Sequence, residues 1–357
     1  MFSRAMIRER NFGVIHYVLA VCLLVINSSL VSAANTEISG LLEAEYSAGT
    51  DYYGYSSSDI VLATVEISID SEISEWFSGH IVLLHEEDDT PLEVDQGFIT
   101  FGNPFLSSFS ISIGQQYLPF GVFETNLISD PLTLEIGETR ESAIVFTYDS
   151  GLYASFYMFN GDMNEAGGDN SVDSMGFNLG YSHEGESLSF DVGVSYISNI
   201  KDSDGLSGNI IAYREAVNEA IPDSFPVPQE VNEYVAGFGG HLVMTWGSFS
   251  LIGEVIAAMD NFAVDELTNA ERKPSATNLE FAYSITDNMG IAFAMQNTVD
   301  MAGYLPETRT LLGMSFALDD NTNIGFDFIR DSDYSSSTNG GSGKTASMTI
   351  IQLSSQF

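Results

Sequence analysis

The chain has 357 residues, of which 44% are hydrophobic, and a formal charge of −39 at pH 7. That charge excludes nucleic-acid binding, which needs a basic patch to neutralise phosphates, and disfavours a phosphate pore, which needs rings of Arg or Lys. The only cysteine is Cys22, near the N-terminus. The rest of the chain therefore has no disulfide and no thiolate metal site, and we expect no cofactor.

The N-terminal segment has the pattern of a secretory signal peptide. Three arginines precede an apolar run from Phe12 to Ile26, and small residues follow it. The run is shorter than the ~20 residues of a membrane-spanning helix, which disfavours an N-terminal anchor. We expect residues 1–34 to be cleaved near Ala33 or Ala34, leaving 35–357 as a single exported domain.

From Thr36 onward, about sixteen segments of strand length alternate polar and apolar residues, and almost none has helical periodicity. In the second segment, Val65 and Ile67 share one face, and Glu66 and Asp70 share the other. The predicted strands are residues 36–47, 58–72, 77–87, 92–102, 109–119, 140–149, 151–160, 171–184, 186–198, 232–247, 248–259, 275–285, 288–299, 308–318, 321–332 and 345–357.

The connections between these strands alternate between short turns and long loops. The long ones include 120–139, 199–231, 260–274 and 333–344. Outer-membrane barrels show this asymmetry, with short periplasmic turns and long extracellular loops, whereas a soluble β-sandwich has no reason for it. The sequence therefore predicts an all-β fold, a transmembrane antiparallel β-barrel of about sixteen strands in a bacterial outer membrane.

Charged residues within the strands are expected to line the barrel lumen, opposite the apolar stripe. They are Glu43, Glu45, Glu66, Asp70, Asp191, Glu254, Glu280, Arg309 and Asp327. Trp76 and Trp246 both fall at predicted periplasmic turns, where an aromatic belt is expected.

The expected partners are those of a barrel in the outer membrane. The last strand ends in Phe357, which resembles the signal read by the barrel-assembly machinery. Outer-membrane lipid and lipopolysaccharide would surround the barrel, and analogy with porins of this strand count suggests a homotrimer.

The segment between the fifth and sixth strands is expected to fold into the lumen and narrow it. Pro119 and Pro131 end strand pairing, and Gly121 permits tight backbone geometry. Acidic side chains beside one arginine would then give a transverse field that orients a zwitterionic or metal-complexed solute. The constriction residues would be Glu124, Asp130, Glu135, Glu138, Arg140 and Glu141. An external loop packed on its neighbours is the alternative.

No catalytic constellation is present, so we expect no enzymatic activity. His80, His85, His183 and His241 are scattered, and neither a HExxH pair nor a GxSxG elbow occurs. These histidines are expected to lie in the barrel interior or at its rim.

Two acidic or polar segments are expected to be hydrated surface. The oxygen donors of one cluster suit Ca²⁺ or Mg²⁺, but its spacing is not that of an EF-hand, so we predict no metal site there; the cluster is Glu86, Glu87, Asp88 and Asp89. The loop 199–231 is expected to be a solvated surface loop, and folding partly over the pore mouth is the alternative.

Several segments resemble the LbtU family of siderophore porins. They are SSDIVLATVEI (57–67), LLHEEDDTPLEVDQGFITFGN (83–103), QYLPFGVFETNLISDPLTLEIGETRES (116–142) and FNGD (159–162). The resemblance covers most of residues 38–162 and is strongest at PFG and DPLTLEIGETRE, and the C-terminal half shares only the strand pattern. It implies uptake of an iron–siderophore complex across the outer membrane, without a plug domain.

An acidic lumen conflicts with part of that implication, since it repels anionic ferric complexes. Two alternatives therefore stay open. One is a general or cation-preferring diffusion porin, and the other is a structural or adhesive barrel that does not conduct.

Overall fold

A computed structural model describes the chain over residues 35–87, 90–102, 108–168, 171–220 and 230–357. The predicted leader at 1–34 lies outside these ranges, as do Asp88 and Asp89 of the acidic cluster.

The described residues form the sixteen strands that the alternation predicts. They are β1 (Asn35–Thr50), β2 (Ser56–Ser74), β3 (Phe77–Glu86), β4 (Glu93–Phe101), β5 (Phe109–Tyr117), β6 (Arg140–Ser150), β7 (Leu152–Phe159), β8 (Ser174–His183), β9 (Leu188–Ile197), β10 (Gly237–Trp246), β11 (Phe249–Ala258), β12 (Ser275–Thr286), β13 (Met289–Val299), β14 (Thr308–Ala317), β15 (Thr322–Ser332) and β16 (Thr345–Gln356).

Each strand pairs antiparallel with its neighbours in the chain, and β1 pairs with β16 to close a barrel. Two further backbone hydrogen bonds, of 2.9 and 3.1 Å, join Gly40 to Phe357 beyond the last strand residue. The Phe357 ring lies over Gly40, where a Cβ atom would collide with it. Closure gives each of the sixteen described strands a hydrogen-bonded neighbour on both sides.

The outer face of the barrel is apolar and the inner face is polar. On β12, Leu279 and Phe281 are 46% and 54% exposed, whereas Glu280 between them is fully buried. A soluble sheet would bury the leucine and phenylalanine and expose the glutamate. The observed order is that of a barrel whose outer surface meets an apolar medium.

The two ends of the barrel differ as predicted. At the short-turn end, single residues or tight turns such as Gly151 join the strands, while long segments join them at the other, long-loop end. Trp76 stacks on Phe101 at the short-turn end with ring centroids 6.2 Å apart, and Trp246 lies 6.5 Å from Phe249. Both tryptophans therefore belong to an aromatic belt at that rim.

The longer described part of 199–231, residues 199–220, differs from the predicted solvated loop, because it is largely helical and one of its faces is buried. It begins with a buried 3-10 turn at Ile200–Asp202, and helix α2 follows at Asp204–Ala220; α1 is the short helix Leu134–Gly137. Leu206 and Ile210 are fully buried on one face of α2. Their four-residue spacing is the helical signal. Among the described residues, no helix is long and apolar enough to cross a membrane.

One side of the lumen is filled by a hydrophobic cluster that strands and loops build together. Its largest members include Leu118, Phe120, Leu132, Ile136, Tyr157, Phe159, Ile197, Ile200, Leu206, Ile210, Ile256 and Phe262. The predicted tenth strand started at 232, but residues 231–235 pack in this cluster, so β10 begins only at Gly237.

A buried ion pair fixes the 3-10 turn to the loop between β11 and β12. Lys201 Nζ lies 2.6 Å from Glu266 Oε2, with both side chains fully buried, and it also donates to the Glu233 carbonyl. Glu266 accepts two backbone N–H bonds, from Asn232 and Ala263. Burial lowers the pKa of Lys201, and hydrogen bonds to both partners hold the pair in place.

Replacing Lys201 with Met should loosen this loop assembly. The variant keeps the aliphatic stem but leaves the Glu266 carboxylate buried without its cation, a change that costs about 3–5 kcal/mol. Hydrogen exchange of the α2 amides should accelerate, and adding Glu266→Leu should restore much of the protection. The exposed Lys273→Met is the control. Unchanged exchange in Lys201→Met would show that the pair does not hold the loop.

Candidate functional site

Residues 118–139, here called the inward loop, lie inside the barrel and follow its wall. On the outward path, the N–H groups of Gly121 and Val122 donate to Ser195 on β9 and Glu254 on β11, at 3.4 and 2.7 Å. The loop then reaches β12, where Glu280 accepts from the Thr125 hydroxyl at 2.7 Å.

Glu280 also receives the backbone N–H and the side-chain amide of Asn126, at 2.8 and 2.7 Å. This one carboxylate therefore holds the middle of the inward loop with three hydrogen bonds.

The tip of the inward loop reaches β15. The N–H groups of Ile128 and Ser129 donate to Asp327 Oδ2 at 3.0 and 2.9 Å. Gly313 and Gly325 on β14 and β15 leave room for the side chains of Leu127 and Ile128, which a Cβ atom at either glycine would meet within 3 Å. The tip is therefore fitted to this part of the wall as well as hydrogen-bonded to it.

The return path is anchored in the same way. Leu132 N–H donates to Gln296 on β13, and the Thr133 hydroxyl donates to Glu254 at 2.6 Å. Leu132, just before α1, and Ile136, within α1, then pack in the hydrophobic cluster. The inward loop is thus a belt that covers the wall from β9 to β15.

Carboxylates suit this task because the loop backbone is irregular. N–H groups that find no ladder partner need an acceptor inside the protein, and a carboxylate offers two oxygens with several lone pairs. Glu254, Glu280 and Asp327 are only 6%, 0% and 1% exposed. They face inward as predicted, but they bind the loop instead of facing the open lumen.

The open part of the lumen lies between the inward loop and β1–β3, and we call this gap the eyelet. Asp130 and Glu135 of the loop are exposed there. The charges that act most on Asp130 are those of Glu135 beside it and of the wall residues Glu86, Glu43 and Glu45. Both sides of the eyelet are therefore acidic.

Two eyelet carboxyls have raised pKa values. Incomplete hydration in the enclosed lumen, followed by repulsion from Glu135 and the wall glutamates, raises the pKa of Asp130 to about 6. Incomplete hydration and repulsion from Asp204 and Asp130 raise the pKa of Glu138 to about 7. Both groups therefore change charge near neutral pH.

Arg140, which was predicted to lie at the constriction, pairs with two carboxylates of β4. It is the first residue of β6, and the alternation along that strand puts it on the same side as the outward Phe146. Its Nη1 lies 2.6 Å from Asp95 and 2.9 Å from Glu93 on β4. Arg140 is not among the charges that act most on Asp130.

Two other predicted constriction residues also lie outside the eyelet. Glu141 is 7% exposed, and its Oε1 accepts the Asp162 N–H at 3.1 Å, under the loop between β7 and β8. Glu124 is exposed but lines a separate cavity on the other side of the inward loop.

The remaining lumen charges have local partners. Glu45 accepts from Gln352 at 2.8 Å, Asp70 pairs with His80 at 2.7 Å, and Arg309 forms a two-pronged pair with Asp331. Glu66 accepts the Ser68 hydroxyl at 3.2 Å, and its charge repels that of Glu43 on the neighbouring strand β1.

The acidic cluster at 86–89 forms no metal site in the part that is described. Glu86 accepts the Thr90 hydroxyl, and Glu87 accepts the Leu62 N–H. Over the described ranges, no group of three or more His, Cys, Asp or Glu side chains is placed to hold a metal ion.

Replacing Glu280 with Ala should release the inward loop. Three hydrogen bonds to a buried carboxylate are lost, which should lower the free energy of loop opening by about 2–4 kcal/mol. Hydrogen exchange over residues 122–130 should rise by one to three orders of magnitude, while the β12 amides stay protected. The exposed turn residue Glu186, changed to Ala, is the control, and an equal effect there would contradict the anchoring role.

The chain is similar to UPF0422 proteins of two bacteria. It is 27% identical over 312 residues to a UPF0422 protein of Coxiella burnetii, a match that covers 83% of this chain and 64% of that protein. It is 23% identical over 161 residues to UPF0422 protein lpg2959 of Legionella pneumophila, covering 42% and 30%. The chain thus spans less than two thirds of these relatives' length. No family model matches it.

Solved outer-membrane barrels share the fold. The channel DcaP of Acinetobacter baumannii superposes with a TM-score of 0.60 at 11% identity, over 91% of this chain and 98% of that one. The anion-selective porin of Comamonas acidovorans gives 0.60 at 11%, over 91% and 100%. Salmonella typhi OmpF in complex with daunomycin gives 0.62 at 10%, over 91% and 98%. These superpositions show a shared porin-like barrel fold. At identities this low they do not indicate which solute passes.

Proposed function

We propose that the chain is an outer-membrane diffusion pore that prefers cations. The observation that carries this proposal is the eyelet, where the carboxylates of the inward loop face the acidic wall of β1–β3. The apolar outer face and the aromatic rim support the membrane setting. The fold shared with porins supports a diffusion channel.

The cation preference follows from where the cations lie. Residues 35–357 contain eight Lys and Arg residues, namely Arg140, Lys201, Arg214, Arg272, Lys273, Arg309, Arg330 and Lys344. All of them belong to the long loops or to the strand ends beside those loops. Asp130 has only acidic groups among its strongest charged neighbours. A narrow gap between low-dielectric walls strengthens the negative potential of these carboxylates, so the eyelet attracts cations and repels anions.

The cation preference should fall as the pH is lowered. Glu138 and Asp130 are charged above their pKa values of about 7 and about 6, so acid removes negative charge from the eyelet. In planar bilayers, the K⁺/Cl⁻ permeability ratio should exceed 1 at pH 8 and decline steadily to pH 5. The double variant Asp130→Asn, Glu138→Gln should start lower and lose most of this decline, unlike Glu186→Gln. An anion preference at pH 8, or the same ratio at both pH values, would refute the assignment.

We further propose that the physiological solute is an iron–siderophore complex without net negative charge. The resemblance to LbtU siderophore porins is strongest in residues 116–142, the segment that builds the inward loop and part of the eyelet. The acidic eyelet then restricts the class of siderophore complex that can pass, because carboxylates on both sides repel a complex with net negative charge.

Growth under iron limitation tests the siderophore proposal. A host that lacks its own uptake receptors should grow on iron-chelated medium only when it produces this protein and receives a neutral or cationic ferric siderophore. An anionic complex of similar size should not support growth. Equal growth with and without the protein would reject this cargo and leave the cation pore standing. Absence of conductance in the planar-bilayer measurement would favour a structural role.

A further inference from the structure

A second lumen feature lies under the first part of the inward loop, apart from the eyelet. It is a cavity of about 300 Å³ between the loop and the wall of β7–β10. Polar and apolar groups both line it, among them Val122, Glu124, Tyr153, Asp191, His241 and Val243. Its volume is at the lower end of the range for small-molecule pockets.

The floor of this cavity is a row of four residues in register on adjacent strands. Tyr153 of β7 pairs with Gly180 of β8, which pairs with Gly193 of β9, which pairs with His241 of β10. A Cβ atom at Gly180 would lie 2.2 Å from the Tyr153 hydroxyl, and one at Gly193 would lie 2.7 Å from the His241 ring. The paired glycines therefore form a trough in which the tyrosine and the imidazole lie towards each other.

The two rings meet at the carboxylate of Asp191. Tyr153 donates its hydroxyl to Asp191 Oδ1 at 2.7 Å, and His241 Nε2 lies 2.6 Å from the same oxygen. The hydroxyl and Nε2 are 3.2 Å apart. Both bonds use Oδ1, and within the described ranges no residue donates to Oδ2. Asp191 is thus held in one orientation while 34% of its side chain stays exposed.

The charge of the cavity selects the kind of solute. Asp191 and the exposed Glu124 contribute two negative charges, and His241 contributes at most one positive charge. No Lys or Arg is among the lining residues. The apolar side chains of Val122 and Val243, with Pro119, offer contact area for a hydrocarbon or aromatic body.

We propose that this cavity is a binding subsite for organic ammonium ions, with Asp191 as the residue that receives the ammonium group. The ammonium donates to Asp191 and Glu124, while the body of the solute packs between the inward loop and the Tyr153 ring. Fixing Asp191 before the solute arrives reduces the ordering cost of binding. This inference deepens the proposed function, because the cavity opens on the lumen of the proposed pore.

Calorimetry on the purified barrel in detergent tests the subsite with phenethylammonium as the probe. Binding should be measurable at pH 8, while phenylacetate, which has a similar body and a negative charge, should not bind. Asp191→Asn should weaken binding of phenethylammonium about tenfold, and Glu124→Gln should weaken it severalfold. Asp287→Asn, the same change at an exposed turn, should leave the affinity unaltered.

A second readout separates this inference from the proposed function. In planar bilayers, phenethylammonium should cause brief current blocks whose duration shortens in Asp191→Asn. Should the barrel bind phenethylammonium but pass no current, the subsite stands and the pore proposal fails. Should it conduct cations while neither phenethylammonium binding nor current blocks respond to Asp191→Asn and Glu124→Gln, the subsite is refuted and the pore stands.

Discussion

An irregular backbone segment inside a barrel must find acceptors for N–H groups that no strand ladder can satisfy, and the rest of this structure depends on that requirement. Lumen-facing carboxylates meet it for the inward loop. Glu254, Glu280 and Asp327 lie on three different strands, and each binds consecutive backbone groups or side chains of the loop. Because these contacts are distributed from β11 to β15, the loop is held along the wall and leaves the opposite side of the lumen open.

This use of carboxylates divides the negative charge into two kinds. The buried anchors use their oxygens to accept hydrogen bonds from the loop, so they contribute structure. The exposed carboxylates of the inward loop, such as Asp130 and Glu135, set the field of the eyelet. The few cations lie near the long-loop end, where Lys201 and Arg309 are already paired. The acidic composition of the chain therefore produces a negative electrostatic potential that is concentrated at the eyelet.

Much of the fold follows from alternation alone, because a period of two fixes which face of a strand each side chain occupies. Glu280 was correctly assigned to the lumen for that reason. Its partners were not predictable, since Asn126 is 154 residues away in the chain. Arg140 was assigned to the constriction from the loop before it, whereas strand parity puts its side chain on the same face as that of Phe146. Helix α2 was missed because its apolar face is carried by few residues, Leu206 and Ile210 among them.

The position of the inward loop is the central claim, and a disulfide tests it most directly. A Cβ atom at Gly325 would lie 2.7 Å from the Ile128 side chain, so cysteines at 128 and 325 would face each other across the loop–wall contact. The described residues contain no native cysteine to interfere. In the folded barrel the double variant Ile128→Cys, Gly325→Cys should cross-link under mild oxidation and resist thiol labelling. Free labelling of both cysteines without a cross-link would show that the loop does not lie on this wall.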